Sequence, residues 1–188
     1  SALGFRFLDR NGKELPGVGE SMSEVEDIDV SQVMPEVYDA EFVVACDVDS
    51  PFCGPSGAAY VFAPQKGAGS HMVEELDMGM CHLAEVIKRV MGKDVRNIPG
   101  AGAAGGLGFA FMSYLGATLS SGIDIVIKET DLENHIKDSD FVITGEGRID
   151  SQSAMGKAPT GVARLAKKYG KRVIAFSGAV TDDAVVCN

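Results

Sequence analysis

The feature that most constrains the fold is the alternation of short apolar segments with helical segments along the last third of the chain. Residues 124–128, 141–145 and 172–178 are short, mainly apolar runs, which predict buried strands. Residues 131–139 and 158–170, which lie between them, predict helices. Strands that alternate with helices form a parallel sheet covered on both faces. The sequence therefore predicts an α/β fold, a mainly parallel sheet flanked by helices.

Similar segments occur earlier in the chain. Residues 41–48 and 60–64 are apolar runs that predict two further strands. Residues 73–92 carry apolar residues at helical spacing, with Ser70 as the expected N-cap and Gly92 at the left-handed position after the helix. In parallel sheets, ligands bind beyond the carboxyl ends of the strands. The loops after predicted strands are therefore where functional side chains are expected.

Composition excludes several classes of protein. The formal net charge is −10, from 17 basic and 27 acidic residues, which argues against nucleic acid as a partner. The chain lacks an apolar run of about 18 residues and a signal-peptide pattern, so we expect a cytoplasmic protein with no membrane partner. Its four cysteines form no CxxC pair, which favours reduced thiols. Residues 20–39 are acidic and contain Pro35, which predicts a long surface excursion.

A glycine-rich segment, residues 99–108, precedes a predicted buried helix. Gly100, Gly102 and Gly105 match the pattern GxGxxG, but no strand is predicted directly before them, so dinucleotide binding is a weak interpretation. Two interpretations stay open with about equal weight. The glycines allow close packing at the start of a helix, or their backbone N–H groups bind a phosphate. A Walker A loop is absent, because Lys157 is followed by Ala158.

The segment of residues 146–157 carries the densest set of charged side chains. Glu146, Arg148 and Asp150 alternate directly after the predicted strand 141–145, and Lys157 follows closely. Carboxylates can hold Mg²⁺ or accept a hydroxyl proton, and cationic side chains neutralise phosphoryl oxygens. Such a mixture is typical of a phosphoryl-transfer site.

Two other loops carry candidate residues. Asp47 and Asp49 lie at the end of the predicted strand 41–48 and directly after it, and Ser50 precedes Pro51. Lys66 lies in a glycine-flanked loop after the run 60–64. By themselves, an aspartate-proline turn is often structural and a lone lysine is usually solvated, so both interpretations stay open.

Three segments together resemble the bacterial type I glycerate kinase family. They read "ACDVDSPFCGPSGAAYVFAPQKGA", "PGAGAAGGLG" and "DFVITGEGRIDSQSAMGKAPTGVARLAKKYGKRVIAFSGAV", and they keep the order of that family. The resemblance implies phosphorylation of D-glycerate by ATP with Mg²⁺, in a cleft between two α/β domains. It also implies that residues 1–188 are the middle and later part of a longer chain, with a domain junction near residue 138. The family's GGSATNDGG segment lies upstream, so activity of this part alone is left open.

The resemblance suggests catalytic and metal-binding roles for five residues. Asp47 and Asp150 would contact Mg²⁺ and accept the hydroxyl proton, with Glu146 as a further metal ligand or an orienting group. Arg148 and Lys66 would contact phosphoryl or carboxylate oxygens through charge-assisted hydrogen bonds.

Further roles concern the substrates. Residues expected to bind glycerate are Ser50, Gln152 and Lys157. Residues expected to bind the nucleotide phosphates are Gly100, Gly102, Gly105 and Gly106. Ser50 departs from the asparagine usual in the family and has fewer hydrogen-bond donors. The alternatives to a kinase are a non-catalytic module that binds a sugar acid or a nucleotide, and a dinucleotide-dependent oxidoreductase.

Overall fold

A computed structural model describes residues 2–149 and 158–181 of the chain. The chain divides into two compact units, Ser1–Leu119 and Ser120–Asn188. Helices and strands are interspersed in both, and the α/β class predicted from the sequence is confirmed. Among the described residues, no helix is long and apolar enough to span a membrane. The junction predicted near residue 138 stays a prediction about the architecture of the longer protein.

The first unit combines short strands with helices. Its strands are β1 (Arg6–Leu8), β2 (Glu14–Leu15), β3 (Asp27–Asp29), β4 (Val43–Ala45) and β5 (Thr118–Ser120), which ends just past the boundary. Its helices are α1 (Glu36–Asp39), α2 (Ala58–Phe62), α3 (Ser70–Met91) and α4 (Ala103–Leu115), with 3-10 turns at Gly19–Glu24 and Pro64–Lys66. β1 pairs antiparallel with both β2 and β3, so that Phe7 lies opposite Leu15 and Ile28. β4 pairs with β5.

The segment 20–39 belongs to the fold of this unit, and the surface excursion predicted there is wrong. Val25, Ile28, Val33 and Val37 are buried in its apolar core. These side chains are separated by acidic residues, and the acidic positions face solvent while the apolar ones pack inward. The average polarity of the segment therefore concealed an amphipathic pattern.

Helix α3 is the best predicted element. The expected range of residues 73–92 agrees with the observed Ser70–Met91, and Gly92 closes the helix in the left-handed region at φ 69°. Val73, Met80 and Ile87 lie on its buried face, as the helical spacing predicted. The N-cap position is Gly69 instead of Ser70, which is the first helical residue.

Two predicted strands are helices in the structure. Residues 60–64 lie in α2 and the following 3-10 turn, and residues 124–128 lie in α5 (Gly122–Glu129). Periodicity cannot separate a strand from a helix over five apolar residues. For α5 the sequence did carry a signal, because Ser121 caps the helix by accepting the N–H of Asp124 at 3.2 Å. Serine followed three residues later by an acidic residue is a capping pattern.

The second unit is a parallel strand pair covered by helices. It contains α5, α6 (Leu132–Lys137), β6 (Phe141–Ile149), α7 (Ala158–Lys168) and β7 (Arg172–Val180). β6 and β7 are parallel neighbours, which confirms the predicted strand–helix–strand order. Ile136, Val142 and Ala166 are buried together between the sheet and the helices.

Candidate functional site

The first unit brings two predicted site segments into contact. The loop after β4, residues 46–52, lies against the glycine-rich turn, residues 100–106. The Gly102 N–H donates to the Ser50 carbonyl oxygen at 2.8 Å, and the Cys46 thiol lies 3.8 Å from the Gly100 carbonyl oxygen. Asp47 and Asp49 are exposed on this loop. Two segments more than fifty residues apart therefore form one surface that carries a carboxylate pair.

Close approach explains why this turn needs glycine. A Cβ at Gly102 would lie 2.3 Å from the Pro51 carbonyl oxygen, and one at Gly100 would lie 2.7 Å from Cys46 Sγ. A Cβ at Gly106 would lie 2.6 Å from the Phe52 ring. These distances are far shorter than van der Waals contact, so a side chain would push the two segments apart. The close-packing interpretation thus accounts for three of the four glycines.

The phosphate-binding interpretation of the same glycines stays a prediction. The N–H groups of Gly105 and Gly106 both donate to the Gly102 carbonyl oxygen, at 3.1 and 3.2 Å. The Gly102 N–H is engaged with Ser50, so a phosphate would have to share donors that already have acceptors. The described residues 93–99 before the turn include no strand, so the context required for a dinucleotide fingerprint is missing there.

The loop that carries Ser50 is anchored at alternate residues. In addition to the Ser50 contact, the Phe52 N–H donates to the Arg96 carbonyl oxygen at 2.8 Å, and the Gly54 N–H donates to Asp77 Oδ1 at 2.7 Å. Hydrogen bonds to an ionised acceptor are stronger than those between neutral groups. The loop is therefore held at Ser50, the position predicted to meet substrate, and at two residues that follow it.

Asp77 and Arg96 were not predicted as site residues. Arg96 is itself fixed by ion pairs to Glu85 at 2.5 Å and Asp94 at 2.8 Å, which raise the pKa of its guanidinium. A single acidic residue on a helix carries no sequence signal of a contact to a loop 23 residues away. Only the tertiary structure identifies these anchors.

Ser50 has an unusual hydroxyl group. Its Oγ is buried and has no hydrogen-bond partner among the described residues. Buried hydroxyl groups are normally paired, and an unpaired one calls for an explanation. The predicted role of Ser50 in substrate binding stays a prediction.

Lys66 lies beside the glycine-rich turn. It ends the 3-10 turn Pro64–Lys66, is exposed, and lines a cavity of about 510 Å³ that Gly105 and Gly106 also line. The structure thus places four predicted features in one unit: the Asp47 loop, Ser50, the glycine-rich turn and Lys66.

Glu146 and Arg148 lie in the second unit, on β6 itself. The strand extends to Ile149 instead of ending at residue 145, because its pairing with β7 continues through Glu146–Ser177 and Arg148–Ala179. Alternation along a strand places Glu146 and Arg148 on the same face as the buried Val142. They therefore lie together near the carboxyl end of β6, within the strand and not after it as the sequence predicted. Asp150, Gln152 and Lys157 lie outside the described residues.

The metal prediction rests on Asp47, Glu146 and Asp150. Within the described residues, no group of three or more acidic, histidine or cysteine side chains is arranged to hold a metal ion. Mg²⁺ is usually bound by only one or two carboxylates, with waters and substrate phosphates completing its shell. The carboxylate of Asp47, in the first unit, and that of Glu146, in the second, each have the right chemistry to bind Mg²⁺, and both assignments stay predictions.

One cysteine of the first unit, Cys53, has a buried thiol. Cys46, Cys53 and Cys81 are free, and burial raises the pKa of the Cys53 thiol to about 12. A thiol with so high a pKa stays protonated near neutral pH and is a poor nucleophile. Covalent catalysis by Cys53 is therefore not a competing interpretation of the site.

Asp47 follows β4 in the first unit, and Glu146 and Arg148 lie near the carboxyl end of β6 in the second unit. In α/β folds, polar side chains at such positions are suited to binding anionic ligands and metal ions. Comparison with known proteins gives the family. A model of the glycerate kinase family matches residues 1–188. The chain belongs to the glycerate kinase family.

The relatives give the same family and the extent of the match. The chain is 52% identical over 185 residues to a glycerate 2-kinase of Escherichia coli K12, covering 98% of this chain and 49% of that protein. It is 46% identical over 183 residues to a glycerate kinase of Bacillus subtilis 168, covering 97% of this chain and 48% of that protein. The chain therefore spans about half the length of the curated relatives it matches.

A solved structure is also similar. It is a crystal structure of a protein from Salmonella typhimurium LT2 that carries the provisional name glycerate kinase 2, with a TM-score of 0.85 and 42% sequence identity. The match covers 96% of this chain and 50% of that one. The two units thus have counterparts within a longer protein of this family.

Proposed function

We propose that the full-length protein is a kinase that transfers the γ-phosphoryl group of ATP to D-glycerate. The observation that carries this proposal is the match of all 188 residues to the glycerate kinase family. The 52% identity to a protein named glycerate 2-kinase favours the 2-hydroxyl group as acceptor. The reaction forms a bond between that oxygen and the γ-phosphorus, breaks the bond to ADP, and releases the hydroxyl proton.

Asp47 is our candidate in the first unit for the proton acceptor, with Asp150 as the second catalytic carboxylate. The exposed position of Asp47, on a loop held by hydrogen bonds at Ser50, Phe52 and Gly54, supports this role. A general base must reach the hydroxyl it deprotonates, and a fixed loop provides that geometry. Mg²⁺ bound by Asp47, Glu146 or Asp150 would neutralise charge on the phosphates.

Cationic groups would stabilise the phosphoryl oxygens and the substrate carboxylate. Arg148 offers a planar guanidinium for two parallel hydrogen bonds, and Lys66 offers a point charge beside the glycine-rich turn. Such electrostatic stabilisation is the main catalytic device of phosphoryl transfer. For glycerate itself we propose Ser50, Gln152 and Lys157, of which Ser50 has an unpaired buried hydroxyl.

The test is ATP consumption by the full-length protein with and without D-glycerate, in the presence of Mg²⁺. We expect ADP release that depends on glycerate, and ³¹P NMR should identify the phosphoglycerate and the position of its phosphate. Binding of ATP or glycerate without turnover would contradict the proposal and favour a non-catalytic binding module.

A further inference from the structure

Two cysteines of the first unit lie side by side where the loop after β4 meets helix α3. Cys53 is buried in the apolar core, and Cys81 is half-buried and packs against the same core. The two side chains interact directly, since Cys81 forms a side-chain hydrogen bond with the Cys53 thiol. Neither thiol takes part in the proposed phosphoryl transfer, so the pair calls for a separate account.

The backbone on both sides of Cys53 is fixed. The Phe52 N–H donates to the Arg96 carbonyl oxygen at 2.8 Å, and the Gly54 N–H donates to Asp77 Oδ1 at 2.7 Å. Cys81 follows Asp77 by one turn of α3, so both side chains lie on the face of the helix that meets the loop. The contact between the two thiols is therefore set by anchored backbone on the loop and by a long helix.

The two thiols differ in their access to solvent. Cys81 is half-buried and can be reached by a small oxidant, whereas Cys53 is buried. Burial raises the pKa of the Cys53 thiol to about 12, which keeps it protonated and slow to react first. An accessible cysteine beside a second cysteine that resolves its oxidised form is the usual arrangement of a redox-sensitive pair. The chemistry therefore assigns the first reaction to Cys81 and the second to Cys53.

We propose that Cys53 and Cys81 are a redox-sensitive dithiol that hydrogen peroxide converts to a disulfide. In the first step the Cys81 sulfur forms a bond to one peroxide oxygen as the O–O bond breaks, and the thiol proton leaves with the other oxygen as water. In the second step the Cys53 sulfur attacks the sulfenic acid of Cys81, and the hydroxyl group leaves with the Cys53 proton as water. The two sulfurs lose two electrons, and one peroxide is reduced to two waters. The fixed contact makes the second step intramolecular, which offsets the weak nucleophilicity of Cys53.

The disulfide would act on the loop that carries Asp47 and Ser50. A covalent bond holds two sulfur atoms closer than two thiols in contact, so the loop has to move towards α3 when the bond forms. A small displacement of a catalytic group can lower a rate about a hundredfold. If the proposed function is correct, oxidation should therefore lower the turnover of D-glycerate at least tenfold, and reduction should restore it.

Disulfide mapping in the full-length protein tests the proposal directly. The reduced protein is treated with stoichiometric hydrogen peroxide, its remaining thiols are alkylated, and a non-reducing tryptic digest is analysed by mass spectrometry. Cleavage after Lys66 separates Cys53 from Cys81, so a bond between them joins two peptides. We expect this joined pair as the main oxidised product, and its loss on treatment with dithiothreitol. Two thiols that stay reduced, a sulfinic acid at either cysteine, or a main product that joins either one to a third cysteine would overturn the proposal.

Cys46 provides the matched control, because it lies on the same tryptic peptide as Cys53. The joined pair should persist in Cys46→Ser and disappear in Cys53→Ala; the opposite result would assign the bond to Cys46 and refute the proposal. The wild-type protein carries the test by itself if a variant fails to fold.

Kinetics then test the effect on the loop. Oxidation should slow the wild-type protein at least tenfold and reversibly, while the rate of Cys81→Ser should not respond to peroxide. A disulfide that forms without changing the rate would overturn the coupling to the loop. The mapping does not depend on kinase activity, so it can fail while the proposed function stands, and it can succeed while that function fails.

Discussion

Gly102→Ala tests whether the glycine-rich turn positions the Asp47 loop by close packing. The new Cβ would lie 2.3 Å from the Pro51 carbonyl oxygen and 2.9 Å from Ser50 Oγ. Relief to an ordinary contact near 3.4 Å requires a shift of about 1 Å, and the nearest neighbour, the Pro51 oxygen, is a backbone atom that cannot rotate away. Overpacking of this kind costs about 1–3 kcal/mol.

Loss of the hydrogen bond between Gly102 and Ser50 adds to this cost. That bond, at 2.8 Å, contributes about 0.5–1.5 kcal/mol. A shift that breaks this bond also relieves part of the strain, so the two costs are not fully additive. Together they predict a loss of about 2–4 kcal/mol in the free energy of unfolding. A displacement of about 1 Å in a loop that carries a catalytic group can also lower the rate about a hundredfold.

The assay is urea unfolding of the full-length protein together with steady-state kinetics for D-glycerate. Gly69→Ala is the matched control, because Gly69 also has a negative φ and no atom lies within 4 Å of its added Cβ. We expect the control to change stability by less than about 1 kcal/mol. If Gly102→Ala matched the control in stability and in kcat/KM, the packing argument would be refuted.

Three further predictions follow from single contacts. Asp77→Asn weakens the charge-assisted bond to the Gly54 N–H and should lower kcat about tenfold with a smaller change in stability, measured by kinetics and urea unfolding. Arg148→Lys removes a bidentate fork and should lower kcat/KM for glycerate at least tenfold. Glu133 has its pKa lowered to about 2, mainly by Lys168, so Glu133→Gln should reduce stability at pH 7. Because the folded pKa lies below the ordinary value of 4.5, that deficit should shrink as the pH falls from 4.5 towards 2.

Two of these predictions have a control variant, and the third is checked by its dependence on pH. Glu75→Gln removes an exposed acid from the same helix as Asp77 and should leave kcat unchanged; equal effects would mean that Asp77 has no positioning role. Arg164→Lys in α7 should be silent, and a silent Arg148→Lys would make Arg148 structural. A deficit of Glu133→Gln that stayed constant down to pH 2 would show that the ion pair is not its cause.

The parts of the fold that could be predicted from the sequence are those with strong local patterns. Helix α3 spans many turns, so its period of 3.6 residues was unambiguous and its end was marked by Gly92. β6 and β7 were recognised because helices separate them and their apolar runs are rich in β-branched residues. By contrast, α2 and α5 are only five and eight residues long, which is too short for periodicity to decide.

The candidate site was predictable as a set of segments but not as an arrangement. The charged residues after β4 and along β6 could be picked out because polar groups at strand ends are where α/β folds bind ligands. The contact between Ser50 and Gly102, and the role of Asp77, depend on long-range packing that no local pattern encodes. The cavity beside Lys66 joins residues from Phe7 to Tyr114, so it also emerges only from the tertiary structure.

The most direct test of the central claim compares Asp47→Asn with Asp49→Asn in the full-length protein. Both residues are exposed on the same loop, so the two variants remove the same charge from nearly the same place. The measurement is the initial rate of phosphoglycerate formation from ATP and D-glycerate. If Asp47 accepts the hydroxyl proton or holds Mg²⁺, Asp47→Asn should lower kcat at least about a hundredfold while Asp49→Asn stays within about threefold of the wild type. Near-normal turnover in Asp47→Asn, or equal losses in both variants, would contradict the account.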